Sequence, residues 1–92
     1  MSFEITFEEK LSRNLRRARQ RRGYNQSDLA QKIGVGTSCI SQYERGKRTP
    51  NLKTMSLISH VLDVSLDDLV PYVENNKLVD TRQTNIYDLI GE

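Results

Sequence analysis

Five residues between positions 37 and 45 have side chains able to read a hydrogen-bonding surface. At 100° per residue, Thr37, Ser38, Ser41, Gln42 and Arg45 fall on one side of a helix, while Ile40 and Tyr43 point the other way with Glu44 at the edge. The polar side thus holds short hydroxyls, one carboxamide and one cation. A carboxamide offers a donor and an acceptor in fixed geometry, and a hydroxyl can act as either. Serine and threonine are poorer helix formers than the Glu and Lys that usually clothe a solvated face, so this pattern suits close approach to a surface. Other chemistries lack material. Cys39 is the single cysteine and His60 the single histidine, which excludes an intramolecular disulfide and leaves too few soft ligands for a structural zinc site. No catalytic constellation is present, so no enzymatic activity, cofactor or metal is expected.

The elements that must carry this face lie in the basic half of the chain. The net charge of +2 hides eleven Lys/Arg against five Asp/Glu in residues 1–50, and three against seven in residues 51–92. From Lys10 to Pro50 the balance is eleven to two, a concentration that a nucleic acid or an acidic surface would feel. A solvated helix face explains a basic run equally well taken alone.

Capping and periodicity place five helices. Thr6 with Glu9 makes a capping box for the first. Its stripe is Leu11, Leu15 and Ala18, its stop is Gly23, and Arg13, Arg16, Arg17, Arg21 and Arg22 lie around its other faces. The second runs over residues 26–33, capped by Asn25 and closed by Gly34, with Leu29, Ala30 and Ile33 inward. The third spans residues 37–44 after only Val35 and Gly36. Helices this short are marginal alone, so the two must pack closely across their glycine turn. After the basic loop Gly46-Lys47-Arg48-Thr49-Pro50, Asn51 caps a fourth helix whose inward residues are expected to be Leu52, Met55, Ile58 and Leu62. Ser65, with Asp68 three residues on, starts a fifth that Pro71 keeps short.

Ninety-two residues, 36% hydrophobic and 28% charged, make one small domain with a thin core. No run approaches the ~18 apolar residues of a membrane span, and the first ten residues do not resemble a signal peptide, so a cytoplasmic protein with no membrane contact is expected. Residues 1–8 read as an arm and helix cap, 9–73 as the domain, and 74–92 as a tail. That tail has polar linker chemistry at residues 74–77, followed by Leu78-Val79 and the apolar cluster Ile86, Tyr87, Leu89 and Ile90. It either docks on the domain or a partner subunit or stays partly disordered. Docking is favoured, because that cluster is costly to leave in water.

The stretch from Asn25 to Leu69 resembles the helix-turn-helix domain of the phage Cro/repressor family of bacterial regulators. Gln-x-x-Leu-Ala, the Gly-Val turn, Ile-Ser-x-Tyr-Glu-Arg-Gly-Lys, the proline after the basic loop and Leu-x-Val-Ser-Leu-Asp-x-Leu occur in order. With the first helix the likeness covers residues 9–70. It implies an all-α, five-helix lambda-repressor-like domain that binds double-stranded DNA as a homodimer. The third helix becomes the recognition helix in the major groove, with Thr37, Ser38, Ser41 and Gln42 at base edges and Gln26 on a phosphate. Gln42, whose amide suits adenine N6 and N7, is the expected sharpest reader. Arg45 falls to guanine or phosphate, and Asn25, Lys47 and Arg48 to phosphates.

Glu44 matches a family glutamate that pairs with an arginine of the first helix, here Arg19, as a fold clamp. Tyr43 stands where an aliphatic residue is usual, so its ring is expected in the core with its hydroxyl within reach of a phosphate. Cys39 is expected to be a small buried hydrophobe, and His60 to face solvent. Gly36 replaces a capping side chain, and Asp63 replaces a helix-ending glycine. Leu57, at a commonly polar position, forms an exposed stripe with Val61; these two with Val70, Tyr72 and Val73 are the candidate dimer surface.

The function implied is a dimeric, sequence-specific repressor of phage, mobile-element or restriction-modification type acting on a palindromic operator. Two alternatives stand beside it: a DNA-binding antitoxin whose tail neutralises a toxin, and the DNA-binding piece of a longer regulator. Transcription machinery is a further partner open to such a protein.

Overall fold

In a computed structural model, residues 5–74 and 77–79 are described. The helices are α1 (Phe7–Arg22), α2 (Gln26–Ile33), α3 (Thr37–Glu44), α4 (Leu52–Leu62) and α5 (Leu66–Leu69). Their starts follow the capping chemistry of the sequence. Thr6 and Glu9 form the reciprocal box of α1 (Glu9 N–H to Thr6 Oγ1 3.1 Å, Thr6 N–H to Glu9 Oε1 3.0 Å). Asn25 and Asp28 form a second reciprocal box at α2, with aspartate in place of the usual Glu or Gln. Asn51 and Ser65 accept from the third residue of α4 and α5. At Ser65 the bond runs one way: Ser65 Oγ accepts from Asp68 N–H, without the return bond of a full box.

The core draws one fully buried side chain from each helix: Leu15, Leu29, Ile40, Ile58 and Leu69. Each contributes about 1.5–3 kcal/mol by leaving water. α2 packs on α3 and α4, and α1 on α3 and α5. Asn14 Nδ2 donates to the Leu69 carbonyl at 3.0 Å, tying the end of α5 to α1. Among the described residues no helix is long and apolar enough to cross a membrane.

Two expectations are corrected. Leu52 is not inward but 76% exposed. It is the first residue of α4, and because helical side chains lean toward the N-terminus, a leucine there projects past the end of the core that Met55 begins. Residues 72–74 and 77–79 are not simply the domain's edge and a linker. Tyr72–Glu74 and Lys77–Val79 pair antiparallel, Tyr72 opposite Val79, as two short strands after the five helices. The signal was the pair of β-favouring runs Tyr72-Val73 and Leu78-Val79. The docking expected of residues 80–92 falls outside the described residues.

Candidate nucleic-acid interface

The tight turn before α3 begins at Gly34, whose φ of 78° is left-handed. Its N–H and that of Val35 both bond the Ala30 carbonyl, closing α2 in one residue. Two residues later Gly36 stands at the N-cap of α3, in extended backbone (φ −78°, ψ 154°) with no side-chain cap bond.

α3 is held from its inner side. Ile40 is fully buried and Tyr43 nearly so. Glu44, 3% exposed, receives Arg19 in a fork: Nη2 to Oε1 at 3.0 Å and Nε to Oε2. Arg19, 9% exposed, also donates from Nη1 to the Tyr24 carbonyl at 2.8 Å, so its guanidinium joins α1, the start of α2 and the end of α3. Two further groups converge on Glu44. Gln26 Nε2 donates to Oε1 at 3.1 Å, and Arg16 donates from Nη2 to the backbone carbonyl at 3.1 Å with Nε 3.7 Å from Oε1. No polar side-chain atom that is buried among the described residues lacks a partner.

With that side fixed, Thr37, Ser38 and Arg45 are exposed and Ser41 and Gln42 half-buried along the other side of α3. Asn25, Lys47 and Arg48 are exposed around it, and Gln26 is half-buried at the first turn of α2. Gly46 (φ 70°) takes the left-handed backbone with which the basic loop begins, a conformation that favours glycine, and it lies beside the Glu8 carbonyl of α1. Several side chains differ from expectation. Cys39 is half-buried against the core rather than enclosed, with Arg48 Nη1 3.8 Å from its sulfur. The Tyr43 hydroxyl lies beside Cys39 and Thr54 on the inner side, and burial first, then Cys39, raises its pKa above the ordinary 10.0. Arg16, grouped by sequence with the other arginines around the outer faces of α1, is instead in contact with Glu44. The signal available was its place one residue from Leu15 and three from Arg19, at the edge of the buried stripe.

The apolar residues assigned to a dimer surface do not form one exposed stripe. Leu57 is 41% exposed, whereas Val61 and Val70 are half-buried and packed on the core. Tyr72 is half-buried in the first strand, which also holds Val73. His60 is exposed.

Residues 15–69 match the family model described as helix-turn-helix. The chain is 36% identical over 75 residues to the HTH-type transcriptional regulator ImmR of Bacillus subtilis (strain 168), covering 82% of this chain and 59% of that protein. It is 39% identical over 67 residues to the uncharacterized HTH-type transcriptional regulator YqaE of the same organism, covering 73% and 58%. The chain thus spans under two thirds of the length of these curated relatives. Among solved structures it resembles the master regulator for biofilm formation SinR in complex with DNA, at 37% identity and a TM-score of 0.61, covering 64% of this chain and 95% of that one.

Proposed function

Because the chain belongs to the helix-turn-helix family, we propose that it is a sequence-specific, double-stranded DNA-binding transcriptional regulator. In this reading it is a dimeric repressor of phage, mobile-element or restriction-modification type that occupies a palindromic operator in the cytoplasm. The carrying observation is the division of α3. One side is locked into the core through Ile40, Tyr43 and Glu44, and the other presents Thr37, Ser38, Ser41 and Gln42 between a basic loop and the start of a capped helix.

In the major groove those four side chains meet base edges, Gln42 with both ends of its amide. Asn25, Gln26, Arg45, Lys47 and Arg48 meet the backbone, adding affinity without sequence information. Gln26 spends one amide hydrogen on Glu44, which leaves the second for a phosphate at the N-terminus of α2, where the helix dipole favours an anion. Leu57, the exposed member of the set, with the half-buried Val61, Val70 and Tyr72 and with Val73 as its flank, is the candidate contact between the two copies. No cofactor or catalytic step is required.

Selection of bound duplexes from a random pool tests this reading. The expected product is a palindromic consensus, bound ~10³–10⁵-fold more weakly at 200 mM than at 50 mM salt if six to ten phosphates are met per dimer. Absence of any enriched sequence, or a flat salt dependence, counts against it.

A further inference from the structure

α3 does little to sustain itself. It has eight residues, begins without a side-chain cap and has no basic residue in its last turn. A helix end leaves its final carbonyls without partners inside the helix. Three of these are met by the chain's own turn: Ser41 by the Arg45 N–H at 3.0 Å, Gln42 by the Lys47 N–H at 2.9 Å, and Tyr43 by the Gly46 N–H at 3.2 Å. The fourth, Glu44, is met from another helix, by Arg16 Nη2 at 3.1 Å.

We propose that Arg16 is a positioning residue for the recognition helix, fixing the C-terminal end of α3 on α1 and thereby the presentation of Ser41 and Gln42. The inference rests on the DNA-reading role proposed above. Arg16 supplies the cation that the last turn of α3 lacks, where the helix dipole favours one. Its planar fork sets direction as well as charge, reaching the Glu44 carbonyl with Nη2 while Nε faces the carboxylate. Arg19 does a different task. It is buried with Glu44 and holds the fold, whereas the Arg16 side chain is 50% exposed. Water can replace a half-exposed donor at a carbonyl, so losing Arg16 leaves the domain folded while freeing the angle of α3. Gln42 is two residues from Glu44, and a bidentate contact to a base tolerates little change of angle.

Arg16→Gln in the full chain tests this against the palindromic duplex that the wild type selects and against single-base-pair variants of it. The expected result is an about 10-fold fall in the ratio of selected to variant affinity at the pairs that Gln42→Ala also affects. The salt slope stays unchanged and thermal unfolding shifts by no more than a few degrees. Loss of stability alone lowers the active fraction for every duplex equally and does not move that ratio. Arg16→Lys, which keeps one donor for the Glu44 carbonyl, restores part of it. An equal loss on all duplexes with the salt slope reduced by about 0.9 identifies a phosphate contact and overturns the proposal. A ratio and slope both unchanged overturn it as well. A wild type that selects no sequence removes the DNA-reading premise itself, a failure visible before any variant is made.

Discussion

α1 carries its own start and stop. It has sixteen residues, a reciprocal box at Thr6 and Glu9, a left-handed Gly23 whose N–H bonds back to Gln20 at 3.0 Å, and arginines in its last turn. α3 has eight residues, Gly36 at its start with no side-chain bond, and Thr37, Ser38, Cys39 and Ser41 where a designer would place alanine and glutamate. The difference separates two uses of a helix. α1 is scaffold and can be optimised for being a helix. The outward residues of α3 suit what they can touch, so its geometry is supplied from outside, through Ile40 below and the Glu44 cluster at its end.

The largest effects should come from breaking that external hold. Glu44→Ala leaves the nearly buried Arg19 without its carboxylate, and removing one member of a buried pair costs about 3–5 kcal/mol. Chemical denaturation is expected to show that loss, with the double replacement Arg19→Met, Glu44→Leu losing clearly less. A single-variant loss under 1 kcal/mol would mean that α3 does not depend on the pair. On the outward side, Gln42→Ala should leave unfolding unchanged and cost about 1–3 kcal/mol of binding at one base pair, relaxing choice there. Lys47→Ala should weaken all duplexes alike and reduce the salt slope by about one. Duplex titrations at several salt concentrations distinguish the two, and a Gln42→Ala variant with unaltered specificity removes Gln42 as the reader.

The two helices also differ in how legible they were. Most helix bounds are local information: Asn25, Asn51 and Ser65 announce the starts of α2, α4 and α5, and Gly23 and Gly34 the stops of α1 and α2. The inward set Leu15, Leu29, Ile40 and Ile58 follows from the 3.6-residue period. Contacts that depend on how two helices cross were not visible. The sequence sets Arg16 at the edge of the buried stripe, but its acceptor, the Glu44 carbonyl, is not visible until α3 is placed against α1, and nothing gives Asn14 the Leu69 carbonyl before α5 is docked. The Arg19–Glu44 pairing was proposed by family likeness, not by spacing. Leu52 misled because periodicity ignores where the core ends, and the pairing of Tyr72–Glu74 with Lys77–Val79 was hidden by the polar chemistry of residues 74–77.

Smaller changes sharpen the contrast between scaffold and reader. α4 ends on Asp63 in left-handed backbone (φ 56°, ψ 46°), the one non-glycine residue with positive φ among those described. A side chain there carries a steric cost that glycine avoids, partly offset by glycine's greater freedom when unfolded. Asp63→Gly is therefore expected to stabilise the domain by about 0.5 kcal/mol, raising Tm by a few degrees without altering DNA binding. Gly36→Ser is the corresponding test on α3. The site has room, the nearest atom to an added Cβ being Ser38 Oγ at 3.9 Å. Serine is only a few tenths of a kcal/mol better than glycine as a cap, so Tm should rise by about a degree or two. A gain well above 1 kcal/mol would mean that the start of α3, and not its end, is its weak point.

The weakest effect belongs to the scaffold helix and is set by pH. The Thr6 backbone N–H, then the Thr6 hydroxyl, hold the exposed Glu9 carboxyl below its ordinary pKa of 4.5, and Arg13 adds to the same direction. A carboxyl whose folded pKa is lowered binds fewer protons folded than unfolded. Its stabilising contribution is therefore complete above the ordinary value and is lost as pH falls through the lowered one. Protonation cancels the charge that the first turn of α1 favours and weakens the return half of its box, so that turn should loosen under acid while α3, whose cap has no titrating group, does not respond through its start. The carboxyl carbon of Glu9, followed by NMR from pH 6 to pH 2, should titrate with a midpoint below 4.5, and the Thr6 amide should shift with it. Glu9→Gln keeps an acceptor for the Thr6 N–H and should abolish the coupled amide shift. A midpoint at or above 4.5 would show that the box does not hold the carboxylate, and the difference between the two helix starts would then lie in length alone.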